Sequence, residues 1–309
     1  MTSDLSPRAV GCAAIRQACG EPLIATAPES ASAWLLVEHP GPWPATGSPP
    51  GLPPEVLRMR EQAAGAGIRW HWIRSVRERH RPTTTVFAAG THLGGTWIER
   101  ATLTEPRELA GLDLGALAEG RPPGFGERGR HRVVVVCTHG RRDVCCARLG
   151  RPVAERLDRR MPGQVWESTH LGGHRFAACV VTLPDAVFHG GVTPADTPTL
   201  ADAITAGHVV PGRLRGRAGL PAPVQAAEHF ARVHYGIRGV DGVLPLRHEP
   251  VPDGTVRVEL ALDDGTACVV HVRARRSTVA RPTSCAAPEA TATPGTFELV
   301  ALHCRQGAA

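Results

Sequence analysis

Lysine is missing from this sequence, so all 35 residues counted as Lys or Arg are arginine. With abundant Ala, Gly and Pro, that absence reads as a coding bias and not as a functional feature. Aromatic residues reach only 4%. The net charge of +6 is spread along the chain. A short run such as Arg77-Glu-Arg-His-Arg81 reads as a solvated face, so no nucleic-acid partner is expected. No stretch reaches the ~18 apolar residues of a membrane span. The N-terminus lacks the basic region and apolar core of a secretory signal. The expectation is a cytoplasmic chain, free of the membrane, whose thiols stay reduced. Its 9 Cys are odd in number and unevenly placed. That argues against a disulfide framework and leaves metal binding or redox chemistry for the clustered ones. No G-x-G-x-x-G follows a strand and opens a helix, so no dinucleotide motif is present.

At 309 residues the chain has room for two domains and an appendage. Segment 1–125 reads as an α/β half without metal: a helix from Arg8 to Cys19, a strand at Trp34–Val37 and a helix after Pro53-Pro54. Strands follow at Ile68–Ile73 and Thr84–Ala88, and a helix near Leu109. Cys12 and Cys19, two helical turns apart, read as buried residues of a packed face. Gly120–Arg130 is the clearest linker. Segment 126–206 reads strand (132–137), helix (145–160), strand (164–169), strand (176–183), strand (186–192), helix (194–206). A βα unit followed by an antiparallel pair and a closing helix is a thioredoxin-like pattern. Segment 207–309 adds a helix, Pro223–Tyr235, and a hairpin, Val256–Leu262 with Cys268–Arg273, turned at Asp264-Gly265. A last strand follows at Phe297–His303, after an irregular loop, Thr283–Pro294.

The words Thr91-His-Leu-Gly-Gly95 and Thr169-His-Leu-Gly-Gly173 are identical. They raise the expectation that the first half is a degenerate relative of the second. In that alignment Glu38 stands where the second half has Cys137, and Thr96 where it has His174.

Chemistry concentrates between Val133 and Leu183. A buried-type strand, Val133–Val136, delivers Cys137; Cys145 and Cys146 follow eight and nine residues later. A second strand, Val165–Ser168, delivers His170, and His174 comes four residues on. The gap after Cys137 is long for a zinc knuckle, whose Cys pairs stand two to four apart. Two glycines between the histidines disfavour a helix and let the backbone curl close to a ligand. Two Cys with two His fit either tetrahedral zinc or a [2Fe–2S] cluster of mixed ligation. A thiol redox pair at Cys145-Cys146 is a further alternative, although it is not Cys-x-x-Cys and a vicinal disulfide is strained.

Three stretches carry a resemblance: Cys137-Thr-His-Gly-Arg-Arg-Asp143, Cys145-Cys146-Ala-Arg-Leu-Gly-Arg-Pro152, and Trp166-Glu-Ser-Thr-His-Leu-Gly-Gly-His-Arg-Phe-Ala177. They resemble the sucrase/ferredoxin-like family of thioredoxin-like [2Fe–2S] ferredoxins. Fainter similarity reaches Trp34-Leu-Leu-Val-Glu-His-Pro-Gly-Pro-Trp43, Arg215-Gly-Arg217 and Gln225-Ala-Ala-Glu228. The resemblance implies cluster ligation by Cys137, Cys146, His170 and His174, and leaves Cys145 free. Cys179 departs from the Asn expected there. No paired carboxylates stand in a sugar-cleaving arrangement; Asp143 and Glu167 read as residues that hold loops or ligands. His139 lies in the ligand loop, and Arg141, Arg142 and Arg175 flank the ligands, where they could stabilise a reduced centre or dock an acidic partner. Two thiolates leave an oxidised 2+ core neutral, which eases the addition of an electron. The expectation is a [2Fe–2S] protein in one-electron transfer or redox sensing. It would be a carrier rather than a stand-alone enzyme, served by an unidentified reductase or acceptor. A zinc-binding interaction module and a thiol oxidoreductase are the rivals.

Overall fold

The computed structural model describes residues 11–78, 82–129, 132–289 and 291–305. Chain order begins with α1 (Cys12–Ala18), β1 (Ala33–Glu38), α2 (Pro54–Gly65), β2 (Arg69–Ser75), β3 (Thr84–Gly90), β4 (Trp97–Leu103), α3 (Leu114–Ala118) and β5 (Glu127–Arg128). It continues with β6 (Val133–Cys137), α4 (Val144–Arg160), β7 (Val165–Ser168), β8 (Val180–Leu183), β9 (Val187–His189), α5 (Thr197–Thr205) and β10 (Leu214–Arg217). The last part holds α6 (Ala222–Tyr235), β11 (Val243–Pro250), β12 (Val256–Leu262), β13 (Ala267–Arg276), β14 (Arg281–Pro282), β15 (Thr291–Ala292) and β16 (Gly295–Arg305).

Ten strands form one mixed sheet in the order β10-β9-β8-β6-β7-β2-β1-β3-β4-β5. β1 and β2 are parallel, as are β6 and β7; every other neighbour pair is antiparallel. The sheet draws strands from both sides of residue 125 and, through β10, from beyond residue 206. Its centre is a seam where β2 meets β7, with Ile73 opposite Ser168 and Ser75 opposite Trp166. From that seam the order runs the same way in both directions: β2-β1-β3-β4-β5 on one side and β7-β6-β8-β9-β10 on the other. Each side is a parallel βαβ unit with three strands added in antiparallel succession beyond its first strand.

Four consecutive valines make β6 a strand buried on both faces. Val134 and Val136 pack under α4 and α5 against Val153, Leu157, Leu200 and Ile204. Val133, Val135 and Cys137 point the other way, into a cluster that also holds Trp34, Leu36, Ile73, Trp166 and Phe188. This second cluster runs beneath both sides of the seam. The period of two therefore decides which face Cys137 joins. A four-stranded sheet, β11-β12-β13-β16, packs on α6 and closes the C-terminal part.

Several expectations change. The first helix is described from Cys12; residues 8–10 of the expected span lie outside the described residues. In place of a helix over 103–117, β4 ends at Leu103, and a 3-10 turn (Pro106–Gly111) and the short α3 follow. The linker contributes β5, which pairs with β4. β10 and β11 were not anticipated, because Leu214–Arg217 and Val243–Pro250 carry charges or prolines at alternate positions. The two identical words do not mark equivalent places. Thr169 follows β7, the second strand of its βαβ unit, whereas Thr91 follows β3, an added antiparallel strand. The pairing of Glu38 with Cys137 does match the topology, since both end the first strand of a unit. His39 N donates to Ile73 O at 2.8 Å, and Thr138 N likewise to Ser168 O at 3.1 Å. Thr96 is not the counterpart of His174. One disulfide, Cys268–Cys304, joins β13 to β16; the expectation of reduced thiols does not hold for that pair.

Candidate metal centre

The site forms where β6 and β7 end side by side. Cys137 N donates to Cys179 O at 3.0 Å and fixes the last residue of β6 to the segment entering β8. The loop then turns at His139, whose carbonyl accepts from Arg142 N and Asp143 N, both at 3.1 Å. Asp143 caps α4: its Oδ1 accepts from Cys145 N at 2.9 Å. Cys145 and Cys146 thus lie in the first turn of a 17-residue helix, whose positive end favours thiolate. The helix sits close to the strand end because Gly150 has no side chain. A Cβ there would stand 2.1 Å from Cys137 O.

The histidine loop is held by its backbone. Thr169 N donates to Trp72 O at 2.9 Å. Gly172 (φ 107°) and Gly173 (φ 74°) adopt left-handed backbone that a side chain would strain, and they turn the chain back so that His174 comes over His170. Two arginines fasten this curl: Arg69 Nη2 donates to Leu171 O and Arg215 Nη1 to Gly172 O, each at 3.0 Å. The sequence reading missed both roles. Arg215 stood in a short motif of the resemblance, but nothing local to Arg69 signals a partner 102 residues away.

All four expected site residues come together. His170 Nδ1 is 3.9 Å from Cys137 Sγ and 3.8 Å from Cys146 Sγ. His174 Nδ1 is 4.0 Å from Cys146 Sγ. The two imidazoles stack with centroids 3.9 Å apart and planes 13° apart. Cys137, Cys146 and His170 offer ligand atoms that all lie within 4.8 Å of one another; His174 stands at the edge of that group. Its Nδ1 is also 3.9 Å from Asp143 Oδ2.

The sulfurs share their protons unevenly. A hydrogen bond from Cys146, then His170 and the backbone N–H of His139, pull the Cys137 thiol well below its ordinary range despite burial. The same contact with Cys137, together with burial, pushes Cys146 far up. Burial, then the neighbouring His170, lowers His174 to about 4, so its imidazole is neutral at pH 7 and free to donate a lone pair. Cys179 is pushed up to about 11 by burial; its Sγ accepts from Arg215 Nη1 at 3.4 Å and donates to Phe176 O at 3.1 Å.

The other flagged residues divide. His139 Nε2 donates to Pro44 O at 2.8 Å, with its ring edge-on to Trp43. It ties the ligand loop to the first half. Arg175 pairs with Glu21 at 2.6 Å and lies 4.4 Å over the Phe176 ring. Arg141 and Arg142 are exposed at the rim. Glu167 pairs with Arg74 across the seam. Cys145 turns away from the site and forms a second group with Cys12, Asp143 and Cys285. That group was not foreseen. Cys12 read as helix packing and Cys285 as part of an irregular loop.

A family model described as sucrase/ferredoxin-like matches residues 65–216, the span from the end of α2 to β10. Among curated proteins, altered inheritance of mitochondria protein 32 of Meyerozyma guilliermondii is 32% identical over 95 residues. The match covers 27% of this chain and 34% of that protein, so the chain spans about a third of the curated relative's length. No solved structure matches. Among the described residues no helix is long and apolar enough to cross a membrane.

Proposed function

We propose, from the match of residues 65–216 to the sucrase/ferredoxin-like family model, that Cys137, Cys146, His170 and His174 bind a [2Fe–2S] cluster and that the protein carries single electrons. The observation that carries this reading is the meeting of two sulfurs and two imidazoles at the ends of neighbouring parallel strands. Such a cluster supplies reversible one-electron chemistry, with a potential raised by histidine ligation. The chain's own residues do the rest. Cys137 at the end of β6 and Cys146 at the positive N-terminus of α4 provide the two thiolates. Arg69 and Arg215 hold the curl that presents His170 and His174. The rim arginines Arg141 and Arg142 offer a positive edge to an acidic redox partner. Strand order β7-β6-β8-β9 around α4 supports a thioredoxin-like unit over 126–206. The same order on the other side of the seam supports a related half over 1–125 without a cluster of its own, since Glu38 stands there where the other half has Cys137; 207–309 adds the C-terminal helix and strands.

A zinc ion in the same place is the second reading, favoured by one observation: three of the four donors already lie within 4.8 Å of each other, as one tetrahedral ion requires. A thiol pair at Cys145-Cys146 finds less support, since the two sulfurs belong to different groups. The deciding experiment is anaerobic purification of the full chain with iron, sulfide and zinc analysis and a visible spectrum. The cluster reading expects two iron and two sulfide per chain, a reddish-brown colour, and loss of both in Cys137→Ala and Cys146→Ala. A colourless protein with zinc bound by the same four residues would replace it with the second reading.

A further inference from the structure

Cys145 and Cys146 are adjacent in the first turn of α4, where neighbouring side chains point about 100° apart. Cys146 faces the histidines. Cys145 faces the other way, into a buried group assembled from three distant segments: Cys12 at the start of α1, Asp143 and Cys145 at the start of α4, and Cys285 after β14. All four residues are buried, between 1% and 8% exposed. Cys12 Sγ is 3.7 Å from Cys145 Sγ, and Cys145 Sγ is 3.2 Å from Cys285 Sγ. Both carboxylate oxygens of Asp143 lie 4.0 Å from Cys12 Sγ.

From this geometry we infer that Cys12, Cys145, Cys285 and Asp143 form a second, structural metal site of tetrahedral three-sulfur, one-oxygen type, suited to Zn2+. An ion bonded to sulfur at about 2.3 Å holds tetrahedral neighbours about 3.8 Å apart. The Cys12–Cys145 separation meets that, and the Cys145–Cys285 pair would open by about 0.6 Å to reach it. The carboxylate is already aimed. Its Oδ2 accepts from Cys285 N at 2.8 Å and Ser284 Oγ at 2.9 Å, which uses both lone pairs. Its Oδ1 accepts from Cys145 N at 2.9 Å and from Cys12 Sγ at 4.0 Å, so its second lone pair is engaged only by a thiol that the ion would deprotonate. A disulfide would use two of the three sulfurs and leave the third buried beside a carboxylate, whereas one ion uses all three. Binding releases the thiol protons to solvent and leaves zinc without redox change. The N–H groups opening α4 offset the negative charge of the ligand set.

The consequence is a clamp. One ion would fasten α1 and the 284–285 loop to the helix that carries Cys146. Asp143 would stand between the two centres, 3.9 Å from His174 Nδ1 on one side and ligating on the other. The inference does not depend on what the first site holds, and its test keeps the two apart. The full chain is purified with zinc in the medium and passed through gel filtration. Expected is one zinc per chain beyond any metal of the first site. X-ray absorption at the zinc edge should show three sulfurs and one oxygen. Zinc should be lost from the Cys12→Ser/Cys285→Ser variant and retained in Cys137→Ala. Should the double variant fail to fold, the zinc-edge spectrum of the wild type decides. Two sulfurs with two nitrogens would put zinc in the first site and overturn the inference. A zinc-supplied chain that retains no zinc, or a folded double variant that keeps it, would also overturn it.

Discussion

Arg74 and Glu167 face each other across the seam between β2 and β7, paired in register and joined by a salt bridge. Their side chains are 9% and 2% exposed, and the Arg74 guanidinium lies 4.3 Å over the Trp43 ring. They occupy the sheet face opposite the cluster that contains Ile73 and Trp166, so the seam is charged on one face and apolar on the other. Removing one partner leaves the other charge buried, which costs about 3–5 kcal/mol. Glu167→Ala should lower the unfolding free energy by that order in urea titrations, and Arg74→Met/Glu167→Leu should recover most of it. An Ala variant as stable as the wild type would show that the pair does not hold the seam.

Gly150 sets how closely α4 approaches the strand that bears Cys137. In Gly150→Ala the new methyl meets a backbone carbonyl, which cannot swing aside as a side-chain tip can. A cost of about 1–3 kcal/mol is expected from the overpacking. The proposed cluster should dissociate faster, because Cys137 and Cys146 are carried by the two elements forced apart. Timing the decay of visible absorbance under a chelator in both proteins checks this; equal rates would count against it.

His189 on β9 is fully buried, and burial lowers it to about 4; its Nε2 accepts from Val210 N at 3.3 Å. The unfolded chain binds its proton near pH 6.5. Above that value both states are neutral and His189 adds no pH dependence. As pH falls from 6.5 toward 4, only the unfolded state takes the proton, so stability drops. Each unit is worth up to ~1.4 kcal/mol, which gives about 2 kcal/mol by pH 5. Denaturant titrations at pH 7 and pH 5 should show a smaller loss in His189→Gln than in the wild type.

Both site histidines turn Nδ1 toward the sulfurs, which leaves Nε2 as the remote nitrogen. Under the proposed ligation, an electron added to the centre returns density to the imidazoles and raises the pKa of Nε2–H. Between the oxidised and reduced values, electron uptake brings proton uptake. The midpoint potential then falls with rising pH, by up to about 59 mV per unit. Potentiometry on the wild type and on His170→Cys and His174→Cys variants that still hold a cluster should show the slope diminish with each replacement. A flat wild-type potential from neutral to alkaline pH would argue against histidine ligation.

The sequence by itself determined what short-range pattern can encode. Four valines announced β6, a helical run was read at 145–160 where α4 lies, and a glycine pair announced the curl between His170 and His174; the cap by Asp143 was not foreseen. Strand ends place side chains by local geometry, so the grouping of Cys137, the Cys145-Cys146 pair, His170 and His174 was legible before any fold was known, while the choice of Cys146 over Cys145 came from the resemblance alone. Pairing across the chain was not. The seam at β2 and β7, the grip of Arg69 and Arg215 on the histidine loop, the Cys268–Cys304 bond, and the convergence of Cys12, Cys145 and Cys285 each join residues far apart in sequence. Local propensity and periodicity say which face a residue takes, not which distant residue it will meet there. Repeated words can even mislead, as Thr91–Gly95 and Thr169–Gly173 do. Those partnerships are set by how the ten-stranded sheet stacks its βαβ units and by which loops cover its ends, and only the tertiary structure decides them.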